Sequence, residues 1–348
     1  METVNQATKT RDITFDLAKF VAIYMVVVWH CFPSNWHATD WSSTIPVNLI
    51  IGCNMPLFFL ISGYFARRMF LACDWRTLVV RLIGYLWPVF VFSLLDTGVA
   101  YFHDSQLSVL NKWMHILTAC FWFFCCLSLC EVTTYFAFWA NKRWKVSVTG
   151  LLAAVFLLFW TIPLGVYYYV AMVPFYWFGI FALPLIYERK HACAVGVVCL
   201  CVYVALSIVE GDITTNGLGF YWDRMRLWNP SWLGFARMLA RYLMGLLGAV
   251  GCLLVLKAVG GKSTFVRTLA ALGTTTLGVY FIHRYVVMEW CRLPIASQVG
   301  IGVYCGLSVA VLLVCHCLVR ASNKVEWLKF MFWGPGPLVK RYLLRKER

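Results

Sequence analysis

Long apolar runs recur from one end of this chain to the other, and they leave it few folds to choose from. They occupy residues 13–33, 45–66, 77–100, 114–140, 147–163, 167–187, 193–209, 233–256, 269–291 and 297–319. A helix rises about 1.5 Å per residue, so roughly 20 apolar residues cross a hydrocarbon core about 30 Å thick. Inside lipid the backbone must satisfy its own hydrogen bonds, which admits only helices and closed barrels. The runs lack the period-two alternation of barrel strands. The expected fold is an all-α integral membrane protein, a bundle of about ten transmembrane helices, with the fifth and seventh runs the shortest. The chain is 61% hydrophobic and 13% charged, with a mean hydropathy of +0.74, far from a water-soluble composition. Residues 1–320 read as one polytopic domain and 321–348 as a basic cytoplasmic tail.

Positive charges gather in alternate loops. Lys9 and Arg11, then Arg67, Arg68 and Arg76, then Lys142, Arg143 and Lys145, then Arg189 and Lys190, then Lys257, Lys262 and Arg267, and the tail after Arg320 form one set. The opposite set is sparse. By the bias of lysine and arginine toward the cytoplasm, both termini are expected there. The net charge of +15 is then a topology signal and an attraction to anionic headgroups rather than a sign of nucleic-acid binding. Asp16 and Lys19 interrupt the first run and no A-x-A site follows it, so it is read as a retained helix rather than a signal peptide. The 15 cysteines lie mostly within apolar runs, where cysteine behaves as a small hydrophobe. Their spacings match no metal-ligand set, and no metal is expected. Cys31 and Cys53, both near span ends, are close enough to helix termini to approach one another.

The first run carries Asp16, Lys19 and His30. Ionisable groups inside a span mark a functional site by default. Lys19 and His30 lie roughly 16 Å apart along a helix and close to three turns, so they share a face and cannot both escape to opposite interfaces. A cation and an imidazole therefore stand at different depths on one stripe. The second run ends in Phe58, Phe59, Ser62, Gly63 and Tyr64.

Together these motifs resemble the membrane-bound acyltransferase-3 family. Lys19 and His30 match its R/K-x10-H pattern, with lysine where arginine is commoner, and Asp16 matches the preceding D-x-x-R/K. The F-F-x-x-S-G-Y ending of the second run matches as well. Arg81 and Pro88, Trp122 and Phe123, and Pro174, Phe178 and Gly179 resemble further family elements. Gly273, Thr276, Leu277, Gly278, Tyr280 and His283 resemble a G-x-x-S-L-G-x-Y-x-x-H signature, with Thr276 in place of serine. The chain resembles the short, single-domain branch without an SGNH domain. This resemblance implies a multi-pass protein of the bacterial plasma membrane that acylates, often acetylates, a hydroxyl of a cell-envelope glycan or a lipid-linked saccharide.

The residues also have plainer readings, and these stay open at this point. Lys19 can snorkel to the interface or pair with Asp16, and Ser62–Gly63–Tyr64 can serve helix packing. His283 and Tyr280 can form a buried network, and Glu131 can hold a structural ion pair. Arg237 and Arg241 share a helix face and have Asp96 or Asp223 as candidate partners. The aromatic and acidic segment from Glu210 to Trp232 suits a carbohydrate or an interfacial belt.

On the functional reading, an acyl-CoA co-substrate arrives from the cytosol, with no cofactor bound. Arg67, Arg68, Arg76, Arg81, Lys19 and Ser62 would meet it. His30, with Lys19 and Asp16, would form the catalytic group, His30 acting as general base or acyl carrier. Ser62, Tyr64, Tyr280 and His283 would position the acceptor or stabilise the oxyanion. Membrane lipid, acyl-CoA and a saccharide are the expected partners. The competing function is a permease or flippase for a polar envelope molecule, because charged groups also line transport paths.

Overall fold

A computed structural model describes residues 11–31, 45–103, 108–161, 167–209, 232–261, 263–291, 301–335, 339–340 and 343. The aromatic segment 210–231 and the loop 32–44 lie outside these, as does the side chain of Arg237. The main helices are α1 (Ile13–Cys31), α2 (Ile45–Ala72), α3 (Trp75–His103), α4 (Val109–Ala119), α5 (Trp122–Trp144), α6 (Val148–Thr161) and α7 (Tyr167–Phe181). They continue as α8 (Leu183–Tyr187), α9 (Ala192–Val209), α10 (Trp232–Val259), α11 (Thr264–Gly273), α12 (Thr276–Cys291), α13 (Ile301–Lys324) and α14 (Glu326–Trp333). No strand occurs among the described residues.

Six of these helices, α1, α2, α3, α5, α10 and α13, are long and apolar enough to cross a membrane. A seventh candidate is the pair α11–α12, bent by 76° at its break. The shorter apolar helices α6, α7 and α9 complete the bundle. Three of the expected spans are therefore not single helices, the run 167–187 among them, since α7 ends at Phe181 and α8 restarts at Leu183. The run 114–140 divides at Cys120–Phe121, where both backbone N–H groups donate to the Ile116 carbonyl and close the last turn of α4. The run 269–291 turns at Thr274–Thr275, whose hydroxyls donate to the Ala271 and Leu272 carbonyls at 2.7 and 2.9 Å. Side-chain hydroxyls thus satisfy backbone groups that a straight helix would have paired.

α1 sits inside the bundle, packed by α2, α11, α12 and α13. Its Ala18, Ala22, Val27 and Cys31 have no exposed surface, and small side chains are what lets several helices approach one at once. α3 is peripheral, and its Phe90, Leu94, Leu95 and Val99 are about half exposed, as lipid-facing residues are. α2 and α7 meet at backbone distance through two glycines. A Cβ on Gly63 would stand 2.0 Å from the Tyr176 carbonyl oxygen, and one on Gly179 would stand 2.1 Å from that of Leu60. The small residue of the S-G-Y motif is consequently a packing device against α7. Cys31 and Cys53 are both buried and are not joined in a disulfide, and Cys53 Sγ lies 3.8 Å from Met25 Sδ.

Candidate functional site

At the basic end of α1, Asp16 is 5% exposed, and a carboxylate so placed needs compensation. Arg11 supplies it with a two-pronged contact, Nε to Oδ2 at 2.6 Å and Nη2 to Oδ1 at 2.9 Å. Lys19, one turn further in, donates to the same Oδ1 at 3.3 Å. The Asp16 contact raises the Arg11 pKa above its already high ordinary value, through the hydrogen bond first and the charge second. Two cations against one carboxylate leave this corner net positive.

A cavity of about 310 Å³ begins at Arg11 and Lys19. It runs past Ser62 and Phe58 of α2, Tyr85 of α3 and Phe123 and Phe124 of α5, and is closed on its other side by Thr276, Leu277 and Tyr280 of α12. That is the small end of the volume range of ligand sites, mostly apolar with a few convergent polar groups. The bend between α11 and α12 builds the polar end. A Cβ on Gly273 would fall 1.9 Å from the Asp16 carbonyl oxygen, so glycine alone lets the corner rest on α1. The first turn of α12 then opens beside the two cations, with backbone N–H groups and the positive end of the helix dipole adding to their field. An anion is the natural occupant of such a mouth.

In the wall of the cavity, Tyr280 is 9% exposed and donates from its hydroxyl to the Cys120 carbonyl at 3.2 Å. One turn on stands His283, with a ring centroid 6.0 Å from that of Tyr280. Its imidazole faces His30 across α1 and α12, with centroids 5.1 Å apart and planes inclined by 52°. Lys19 and Ile23 border the cavity with α12, and His30 meets α12 at His283, so α1 turns Lys19 and His30 toward one neighbour.

Residues 12–320 match the family model of acyltransferase-3, described as an acyltransferase domain. The chain belongs to the acyltransferase-3 family. No curated protein and no solved structure matched it. With its multiple apolar helices it is a multi-pass membrane acyltransferase.

Not every residue proposed for the acyltransferase site reaches the cavity. Lys19, Ser62 and Tyr280 line it. Arg67 and Arg68 are exposed at the basic end of α2, and Arg76 lies over the Trp75 ring at 5.9 Å. Tyr64 is stacked on Phe15 at 4.7 Å between centroids, away from the cavity lining. Arg81, expected among the acyl-CoA contacts, is instead paired with Glu131 through Nε at 2.9 Å and through Nη2. Tyr85 donates to the same Glu131 oxygen at 2.5 Å. The ion pair anticipated for Glu131 is thus formed with Arg81, and one face of this network, Tyr85, borders the cavity. Asp96, a candidate partner for Arg237 or Arg241, takes Arg284 at 2.9 Å and the Tyr285 hydroxyl at 2.5 Å.

Sequence reasoning counts Arg11 only as a topology charge. Its spacing of five residues before Asp16 is the available signal for a role at the mouth. Tyr85 carries no comparable signal, because its contribution arises from where α3 is placed, whereas the start of α12 falls on the Thr276–Leu277–Gly278 part of the signature already noted.

Proposed function

We propose that this acyltransferase moves an acyl group, acetyl in the simplest case, from a cytosolic acyl-CoA to a hydroxyl of a cell-envelope glycan or lipid-linked saccharide in the bacterial plasma membrane. One observation carries this reading: a single cavity begins at two cations and a helix start and stops one turn short of two facing imidazoles. Phosphates of the donor suit the positive mouth, and an apolar passage suits an extended thioester arm. Arg11 and Lys19 are the donor-binding pair, with Asp16 holding both in place. Ser62 and the α12 start flank the arm. Arg67, Arg68 and Arg76 act further out, drawing the polyanion to this end of the bundle.

At the far end His30 takes the proton from the acceptor hydroxyl as that oxygen attacks the thioester carbonyl. The tetrahedral oxyanion collapses, the C–S bond breaks, and the thiolate leaves with the proton returned from His30. Transport without chemistry is not favoured, because the family is one of transferases.

The test is to incubate membranes containing the protein with radiolabelled acetyl-CoA and extracted envelope glycolipids. Label is expected in saccharide, lost in His30→Ala and reduced in Lys19→Ala. Undiminished transfer by His30→Ala removes the catalytic assignment, and unmodified glycan crossing sealed vesicles with no label transferred returns the permease.

A further inference from the structure

Building on His30 as the base, we propose that His283 is the positioning residue for that base: it accepts a hydrogen bond from one nitrogen of His30 and so fixes the tautomer in which the other nitrogen carries the lone pair that takes the acceptor's proton. The tautomer of His283 follows from its partner. Its Nδ1 lies 2.9 Å from the Val279 carbonyl oxygen, and a carbonyl oxygen only accepts, so the hydrogen is on Nδ1. In the neutral ring Nε2 is then a lone pair and nothing else. That Nε2 is buried and has no hydrogen-bond partner among the described residues. An unmet buried acceptor costs free energy that a purely structural residue would avoid. The ring beside it at 5.1 Å is His30, which carries an N–H in either tautomer and, by turning about its own side-chain torsions, can direct it at that nitrogen.

The arrangement is that of a base steadied by a third group. When His30 takes the hydroxyl proton it becomes an imidazolium with two N–H groups, and the second is held by the His283 lone pair. No proton leaves the pair; it returns from His30 to the thiolate as the C–S bond breaks. A neutral His283 cannot donate to the oxyanion, which takes it out of the group of oxyanion donors.

The experiment compares purified wild-type protein with His283→Leu and His283→Gln, using radiolabelled acetyl-CoA and glycolipid extract. Leu removes the acceptor and the unmet buried atom together, so unfolding midpoints in detergent should match or exceed wild type. The expected kcat of His283→Leu is roughly 10²-fold lower with KM for acetyl-CoA unchanged. Gln, whose amide oxygen accepts, should recover a large part of that loss. Equal kcat in wild type and His283→Leu overturns the proposal, as does a loss confined to KM or equal loss in both variants. If His30→Ala keeps full activity in the same assay, it is the assignment of His30 as base that fails. A readout independent of turnover is the nitrogen NMR of 15N-histidine-labelled protein. The Nδ1–H form is expected for His283, with the His30 signals moving in His283→Leu, and an Nε2–H form for His283 or unmoved His30 signals would refute the inference.

Discussion

Asp16 shows how a carboxylate is kept at the start of a buried helix: it is given more positive charge than it carries. Because the excess cation faces the cavity, Lys19→Ala should raise KM for acetyl-CoA about tenfold, the value of one charge-assisted contact near 1.4 kcal/mol, and leave kcat largely unchanged. Steady-state kinetics on the purified variant checks this, and an unchanged KM would separate Lys19 from donor binding. Glu131 is a different case. It has no exposed surface while the Arg81 side chain keeps 25%, so removing the arginine strands a fully buried charge. Arg81→Leu should lower stability by about 3–5 kcal/mol, and the double substitution Arg81→Leu with Glu131→Met should recover most of it. Equal losses in unfolding experiments on the single and double variants would show that the pair is not what matters.

Just before α1, burial pushes the Asp12 carboxyl up, but bonds from the Tyr187 hydroxyl and Thr14, with the charge of Lys257, outweigh it and hold its pKa below the ordinary value. The Tyr187 bond is 2.6 Å long. A depressed carboxylate contributes stability above its unfolded pKa of about 3.9 and loses it as pH falls through the lower folded value. Asp12→Asn should therefore flatten the acid limb of stability against pH below about 4, as measured by thermal unfolding over a pH series.

At the scale of elements, two backbone approaches hold the site in shape. The α2–α7 contact at Gly63 sets where Ser62 faces, and the α11–α12 corner on Asp16 sets where α12 begins. In both places the obstacle to a methyl group is a carbonyl oxygen of the opposing backbone, which cannot rotate away as a side chain can. Gly63→Ala should cost about 1–3 kcal/mol or more through overpacking. Gly273→Ala should do the same and also lower acyl transfer, because it lifts the corner from α1. Gly84, where an added methyl group would meet nothing within 4 Å, is the control, and Gly84→Ala should leave both the unfolding midpoint and the activity near wild type. Comparable losses in all three would mean that helix flexibility rather than close approach is at stake. The α2–α7 approach leaves no trace in hydropathy, whereas the break at Thr274–Thr275 coincides with a short polar stretch, Gly273–Thr276, inside an apolar run.

For the whole molecule, one end of the bundle gathers the exposed arginines of α2 and the mouth of the cavity, and the two histidines stand toward the other end. This polarity matches a donor and an acceptor arriving from opposite sides of a membrane. Reporter fusions should place both termini in the cytoplasm, with an alkaline phosphatase fused after the tail inactive and a fluorescent protein there bright. An active phosphatase would reverse the orientation and with it the direction of donor entry.

What the amino-acid order settled unaided was local: helices, a membrane, a lysine and a histidine on one stripe of the first span, and the motifs of acyltransferase-3. Hydropathy and three-turn spacing are properties of a single helix and are legible along it. Partnership was decided only in three dimensions. Arg81 chose Glu131, Asp96 chose Arg284, Thr276 came to line the same cavity as Lys19, and His283 came to face His30. Each of these joins helices far apart in the chain, and which faces meet depends on backbone fit at places such as Gly63 and Gly273, where the packing of the whole bundle selects one arrangement from many that the apolar pattern allows.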